Sequence, residues 1–145
     1  GSPAEGAERS MPIIEWDETM AVGVARIDGQ HQDLVRIINQ VFDAYSAGGD
    51  RAALENVVRR FCDYTLGHFA LEEGLMSGHR YPDRDRHVSE HMECSIRAID
   101  FFTEFIEGRD TLSADVLNYL VAWFRGHTTG TDRRLGAFLN AQGVR

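Results

Sequence analysis

The sequence predicts an all-α fold, an antiparallel up-down-up-down four-helix bundle preceded by an N-terminal arm. Three observations predict it. Apolar residues recur at three- and four-residue steps through four long segments. No segment alternates apolar and polar residues as a half-buried strand does. Glycine and proline punctuate the segments at Gly48-Gly49, from Gly78 to Pro82, and at Gly108. Short connections between long helices make neighbours antiparallel. A chain of 145 residues reads as one domain, long enough to bury a core without disulfides.

The opening Gly1-Ser2 reads as a cloning scar and Pro3 to Ser10 as polar linker, so residues 1–10 are set apart from a domain spanning 11–145. Met11 to Ile27 forms an arm in which Ile14 and Trp16 are expected to dock on an apolar surface. The first helix is expected from about Asp28 to Ala47, with Leu34, Ile38, Val41, Phe42 and Tyr45 on one stripe. His31 falls on that stripe. Asp50 is a good N-cap for a second helix that turns Leu54, Val57, Val58, Phe61, Leu75 and Met76 inward before Gly78. His68 and Glu72, one turn apart, share its inner face. Pro82-Asp83 opens the third helix, whose stripe is His87, His91, Cys94, Ala98, Phe101, Phe102 and Phe105. The fourth begins near Ser113, points Leu117, Leu120, Phe124 and His127 inward, and continues weakly through Thr128 to Thr131 toward Leu135, Phe138 and Leu139.

A formal charge of -8 argues against a nucleic-acid surface, which needs clustered Lys and Arg. No run approaches the roughly 20 apolar residues that cross a bilayer, and no charged-then-apolar leader opens the chain, so a cytoplasmic protein without membrane association is expected. Cys62 and Cys94 fall inside helices and read as small reduced core residues.

Five histidines and two carboxylates, His31, His68, Glu72, His87, His91, His127 and Asp132, lie on or beside stripes that otherwise read as buried. A buried imidazole carries a donor and an acceptor that both need partners, and two metal ions would supply them. One histidine on an apolar face is weak evidence; His79, in the turn before Pro82, is read as a surface residue. Two pairs one turn apart plus contributions from all four helices are much stronger. One spacing is awkward, because His127 and Asp132, five residues apart, diverge by about 140° on a straight helix. A widened turn around Gly130, or a carboxylate reaching in from the side, would bring them together.

The run from Gly23 to His31, then His68-Phe69-Ala70-Leu71-Glu72-Glu73, His87-Val88-Ser89-Glu90-His91, and His127 through Asp132 with Leu135-Gly136, resembles the hemerythrins, specifically the bacterial ones. The likeness covers about Ile14 to Leu139, and every ligand position is filled. It implies two non-haem iron ions cycling between Fe2+ and Fe3+, bridged by Glu72, Asp132 and an oxo or hydroxo group. It further implies that His87, His91 and His127 hold one iron while His31 and His68 hold the other. The second iron then has an open position, where dioxygen would bind reversibly and azide or a similar small anion would bind in the oxidised form. By the same resemblance the chain is a binder rather than an enzyme.

Leu34, Phe69, Trp123 and Phe124 are expected to make that dioxygen pocket apolar and keep water from it. Thr128 departs from the family, which commonly has a bulky aliphatic residue there, and its hydroxyl would bond the ligand or admit water. An oxygen- or redox-sensing domain with a fused or partner signalling domain is therefore the alternative to oxygen carriage, storage or delivery. A ferritin-like oxidase or peroxidase falls behind, since no Glu stands three residues before any His. A zinc protease would need a His-Glu-x-x-His helix, which is absent.

Overall fold

The computed structural model describes residues 12–48, 50–108 and 113–145. The expected scar and linker at 1–10, the first residue of the arm and Gly49 lie outside the described residues. Helix α1 spans Ala25–Ser46, α2 Arg51–Gly78, α3 Arg84–Ile106 and α4 Ala114–Gly126. A six-residue π-helical segment, His127–Asp132, joins α4 to α5, Arg133–Ala141. Successive long helices pack on one another in the up-down-up-down order, and the described residues form no strand.

Local chemistry explains most of the boundaries. Asp50 caps α2 by accepting from Ala52 N at 2.9 Å, and Ser113 caps α4 by accepting from Val116 N at 3.4 Å. Gly48 ends α1 at φ +61, a left-handed conformation that glycine adopts without penalty. The first helix starts at Ala25, three residues before the expected Asp28. Val24, at its N-cap, has no capping side chain, and the Asp28 carboxylate reaches back instead to Val22 N at 2.8 Å and Gly23 N at 3.2 Å. Asp83 likewise makes no capping bond, and α3 begins one residue later at Arg84.

The arm docks as expected. Ile14 is buried, Trp16 packs against the same cluster, and Asn39 pins the arm's backbone by accepting from Ile13 N and Ile14 N and donating to Ile14 O. The inward stripes fill two apolar clusters. The larger holds Leu34, Ile38, Val41, Val58, Phe61, Phe102, Leu117, Leu120 and Phe124; the smaller holds Val22, Val24, Ile27, Met76, Tyr81, Leu135 and Leu139. Phe101 corrects the expected α3 stripe, since it is 38 % exposed and meets Tyr119 edge-on at 6.4 Å. Ala98, Phe102 and Phe105, at four- and three-residue steps, occupy the core face, and Phe101 stands about 60° to one side of that line.

At the opposite end α5 presses on the arm. A Cβ on Gly136 would stand 2.1 Å from Val22 O, so only glycine lets these backbones approach. Asn140 Nδ2 adds bonds to Gly23 O at 2.9 Å and Val144 O at 2.8 Å. Cys94 is buried and Cys62 half-buried, both as free thiols, and burial pushes them up to about 12 and about 11, which leaves them poor nucleophiles. No helix among the described residues is long and apolar enough to cross a membrane.

Candidate metal centre

All seven expected ligands converge. Their donor atoms fall into two overlapping groups, Glu72, His87, His91, His127 and Asp132, and His31, His68, Glu72 and Asp132, with the atoms of each group within 4.8 Å of one another. Every member is buried, Glu72 completely. His79, set apart as a surface residue, is half-buried and joins neither group.

The π segment solves the spacing problem. Six residues in the wider helix turn both His127 and Asp132 into the bundle, as the angular mismatch required. Thr129 Oγ1 donates back to Arg125 O at 2.7 Å.

Each carboxylate divides its two oxygens between the groups. Glu72 Oε1 lies 3.1 Å from His87 Nε2 and 3.0 Å from His91 Nε2. Its Oε2 lies 3.1 Å from His68 Nε2 and 3.5 Å from His31 Nε2. Asp132 Oδ1 faces His87 and His127, both at 3.0 Å, and Oδ2 faces His31 at 3.1 Å. That is the pattern of two carboxylates bridging two cation positions.

The donor chemistry fits cations better than hydrogen bonds. Asp132 Oδ1 and Oδ2, Glu72 Oε2 and His127 Nε2 are buried without a hydrogen-bond partner, although opposite groups lie at contact distance. His68 Nδ1 donates outward to Gln30 at 2.6 Å, so its inner Nε2 is a lone pair, yet it lies 2.9 Å from His31 Nε2. Two imidazole nitrogens that close need a proton or a metal ion between them. Phe69 stacks on His91 at 3.9 Å and Trp123 on His127 at 4.4 Å, which fixes both rings.

Sequence reasoning missed the outer partners. His91 Nδ1 donates to Glu73 and His127 Nδ1 to Glu90, which also accepts from Thr131 Oγ1. Their adjacency to ligand residues was the only signal available.

Without an ion the cluster stores protons. Burial opposes charge on His31 and His87, but the Asp132 and Glu72 carboxylates close against both rings outweigh it and raise both from 6.5 to about 9. Burial pushes Glu72 up, yet its four histidine partners hold it well below the ordinary carboxylate range. A raised histidine contributes stability that is complete below 6.5 and lost as pH climbs through about 9. The chelator-stripped chain is therefore expected to melt progressively lower between those limits, and a metal-loaded chain is expected not to follow, because metal binding requires deprotonated rings. Thermal melts of both forms across that range check this; a flat profile for the stripped chain would show that the histidines stay neutral.

A helical bundle that buries histidines from all four helices around two shared carboxylates defines a metal-binding protein of the four-helix type. The chain belongs to the hemerythrin family, for the model of the hemerythrin HHE cation binding domain matches residues 22–139. It is 30% identical over 123 residues to the bacteriohemerythrin of Stenotrophomonas maltophilia, spanning 85% of this chain and 79% of that one. With the myohemerythrin of Theromyzon tessulatum it shares 28% identity over 81% of this chain and 87% of the other. A crystal structure of a hemerythrin with one leucine replaced by tyrosine superposes with a TM-score of 0.84 at 25% identity, covering 89% and 98% of the two chains.

Proposed function

We propose that this protein binds dioxygen reversibly at a non-haem di-iron centre, for oxygen carriage, storage or delivery. The observation that carries the reading is the division of Glu72 and Asp132 between two groups of histidines. His87, His91 and His127 would hold one iron, His31 and His68 the other, with the two carboxylates and an oxo or hydroxo group as bridges. Held there, two such ions would supply one electron each to dioxygen, and the side with fewer histidines would have room for it or for azide.

The chain's own residues shape what reaches that side. Leu34, Phe69, Trp123, Phe124 and Thr128, all expected around the pocket, line one narrow internal cavity together with His31, His68, His127 and Asp132. Ile38, Phe61, Cys94 and Leu120 extend its apolar wall, and Thr65 adds a hydroxyl. An apolar wall excludes water, which favours binding and release over turnover and argues for a binder rather than an oxidase or peroxidase. The free thiols of Cys62 and Cys94 suit the reducing cytoplasm as its setting.

One observation favours a second reading, an oxygen or redox sensor with a fused or partner signalling domain. Thr128 brings a hydroxyl to the cavity beside Asp132, and a polar group there gives water or a proton a foothold. Both readings are tested by reducing the iron-loaded protein without air, admitting air, and following the absorption spectrum through repeated cycles. Reversible spectra support carriage, whereas one-way oxidation supports the sensor. Thr128→Val, equal in shape but without the hydroxyl, is expected to slow that oxidation severalfold while keeping the iron. Equal rates at matched pH and oxygen would remove the argument for a short-lived, sensor-like state.

A further inference from the structure

The five rings of the centre are held with unequal firmness. In the group of His87, His91 and His127, carboxylates grip two of the three rings from outside: Glu73 accepts from His91 Nδ1 at 3.1 Å and Glu90 from His127 Nδ1 at 3.0 Å. Glu90 is itself steadied by Thr131, whose Oγ1 lies 2.8 and 3.0 Å from its two oxygens. The same two rings are stacked, His91 with Phe69 at 7° between planes and His127 with Trp123 at 13°. His31 and His68 are held more loosely. An amide, Gln30 Oε1, accepts from His68 Nδ1 at 2.6 Å, and the aromatic neighbours of these rings, Phe124 and Phe69, meet them edge-on or tilted at 5.8 and 6.1 Å. His31 Nδ1 and His87 Nδ1 have no hydrogen-bond partner among the described residues.

A neutral ring whose Nδ1 donates outward presents Nε2 inward as a lone pair. His91 Nε2 then faces Glu72 Oε1 at 3.0 Å and His127 Nε2 faces Asp132 Oδ1 at 3.0 Å, acceptor against acceptor. A cation between them turns two repulsions into four bonds. Tautomer and ring plane are set in advance for two of the three histidines here, so an entering ion has little left to order. On the other side one ring of two is set, and by an amide. An outer carboxylate also makes its imidazole a stronger donor than an amide does.

We infer that the group of His87, His91 and His127 is the tighter cation position and fills first, and that Glu73 and Glu90 are the positioning residues that make it so. The inference rests on the reading of the two groups as two cation positions and adds the order in which they load. Its residues act on any divalent ion that imidazole and carboxylate bind, so the test needs neither iron nor dioxygen.

The whole chain, stripped by chelator, is titrated with Co2+ alone by calorimetry, while proton NMR follows the paramagnetically shifted Nδ1–H signals of the coordinated rings. Wild type is expected to bind in two steps, the first at least about tenfold tighter, with the signals of His91 and His127 appearing at the first equivalent and that of His68 at the second. Glu90→Ala is expected to weaken the first step about tenfold and the second by less than about threefold, and Gln30→Ala to do the reverse. Two ions entering in one step, or the His68 signal appearing first, overturns the inference. So does a Glu90→Ala variant whose first step is unchanged, or whose two steps weaken alike, which would mean general loosening of the bundle. Should Glu90→Ala not fold by circular dichroism, Glu73→Ala decides by the same criterion. A wild type that loads in the expected order yet binds no dioxygen with iron in place sinks the oxygen-binding reading and supports this inference, whereas a wild type that takes up no Co2+ overturns it.

Discussion

Glu72→Ala is expected to reduce bound iron from about two ions per chain to well below one, because this side chain is shared by both groups of histidines. Its oxygens stand within 3.5 Å of His31, His68, His87 and His91, so no single histidine substitution removes as many contacts. Glu72→Gln separates the loss of a ligand from the loss of volume: it fills the same space without the charge, and the same loss of iron is expected. Metal analysis of proteins loaded under one protocol checks both. If either variant retains two irons, Glu72 is not a bridge.

Gly136→Ala is expected to cost about 2–3 kcal/mol and to lower the melting temperature by about 5–10 °C. The added carbon would meet Val22 O at 2.1 Å and Val22 C at 2.9 Å, and these are backbone atoms that move only if the arm lifts from α5. Gly130→Ala is the matched control, since a Cβ there meets only the guanidinium of Arg134 at 3.9 Å, and a change within about 0.5 kcal/mol is expected. Thermal melts of the two variants compare a close backbone approach with open space in the same stretch of chain. Similar melting temperatures would mean that the arm yields at little cost.

The members of the buried cluster were legible in the sequence because polar groups stood on stripes where only apolar ones are free of penalty. The π segment was legible too, as an angular conflict: His127 and Asp132 could both face inward only if the helix widened between them. What stayed hidden was everything whose signal is ordinary on a surface. Gln30, Glu73 and Glu90 are partly exposed polar residues beside ligands, and no spacing rule distinguishes a ring's outer partner from a solvated side chain. Phe101 was misplaced because three phenylalanines crowd one turn and a stripe admits only those in register. The start of α1 was hidden because Asp28, a typical capping residue, spends its carboxylate on the arm instead.

The two apolar clusters meet at the ligands. Along α1 the order is Ile27, His31, Leu34; along α2 it is Phe61, His68, Glu72, Met76; and from α4 to α5 it is Phe124, His127, Asp132, Leu135, with the smaller cluster on one side of the polar residues and the larger on the other. A layer of charge thus cuts the interior across, and without ions it is a seam rather than a joint. Loaded, the same layer ties all four helices at one level and makes two short cores unfold as one cooperative unit. The metal would then serve as the keystone of the fold as well as the seat of its chemistry, and losing it would loosen first the end held by the smaller cluster, around Val22, Tyr81 and Leu139.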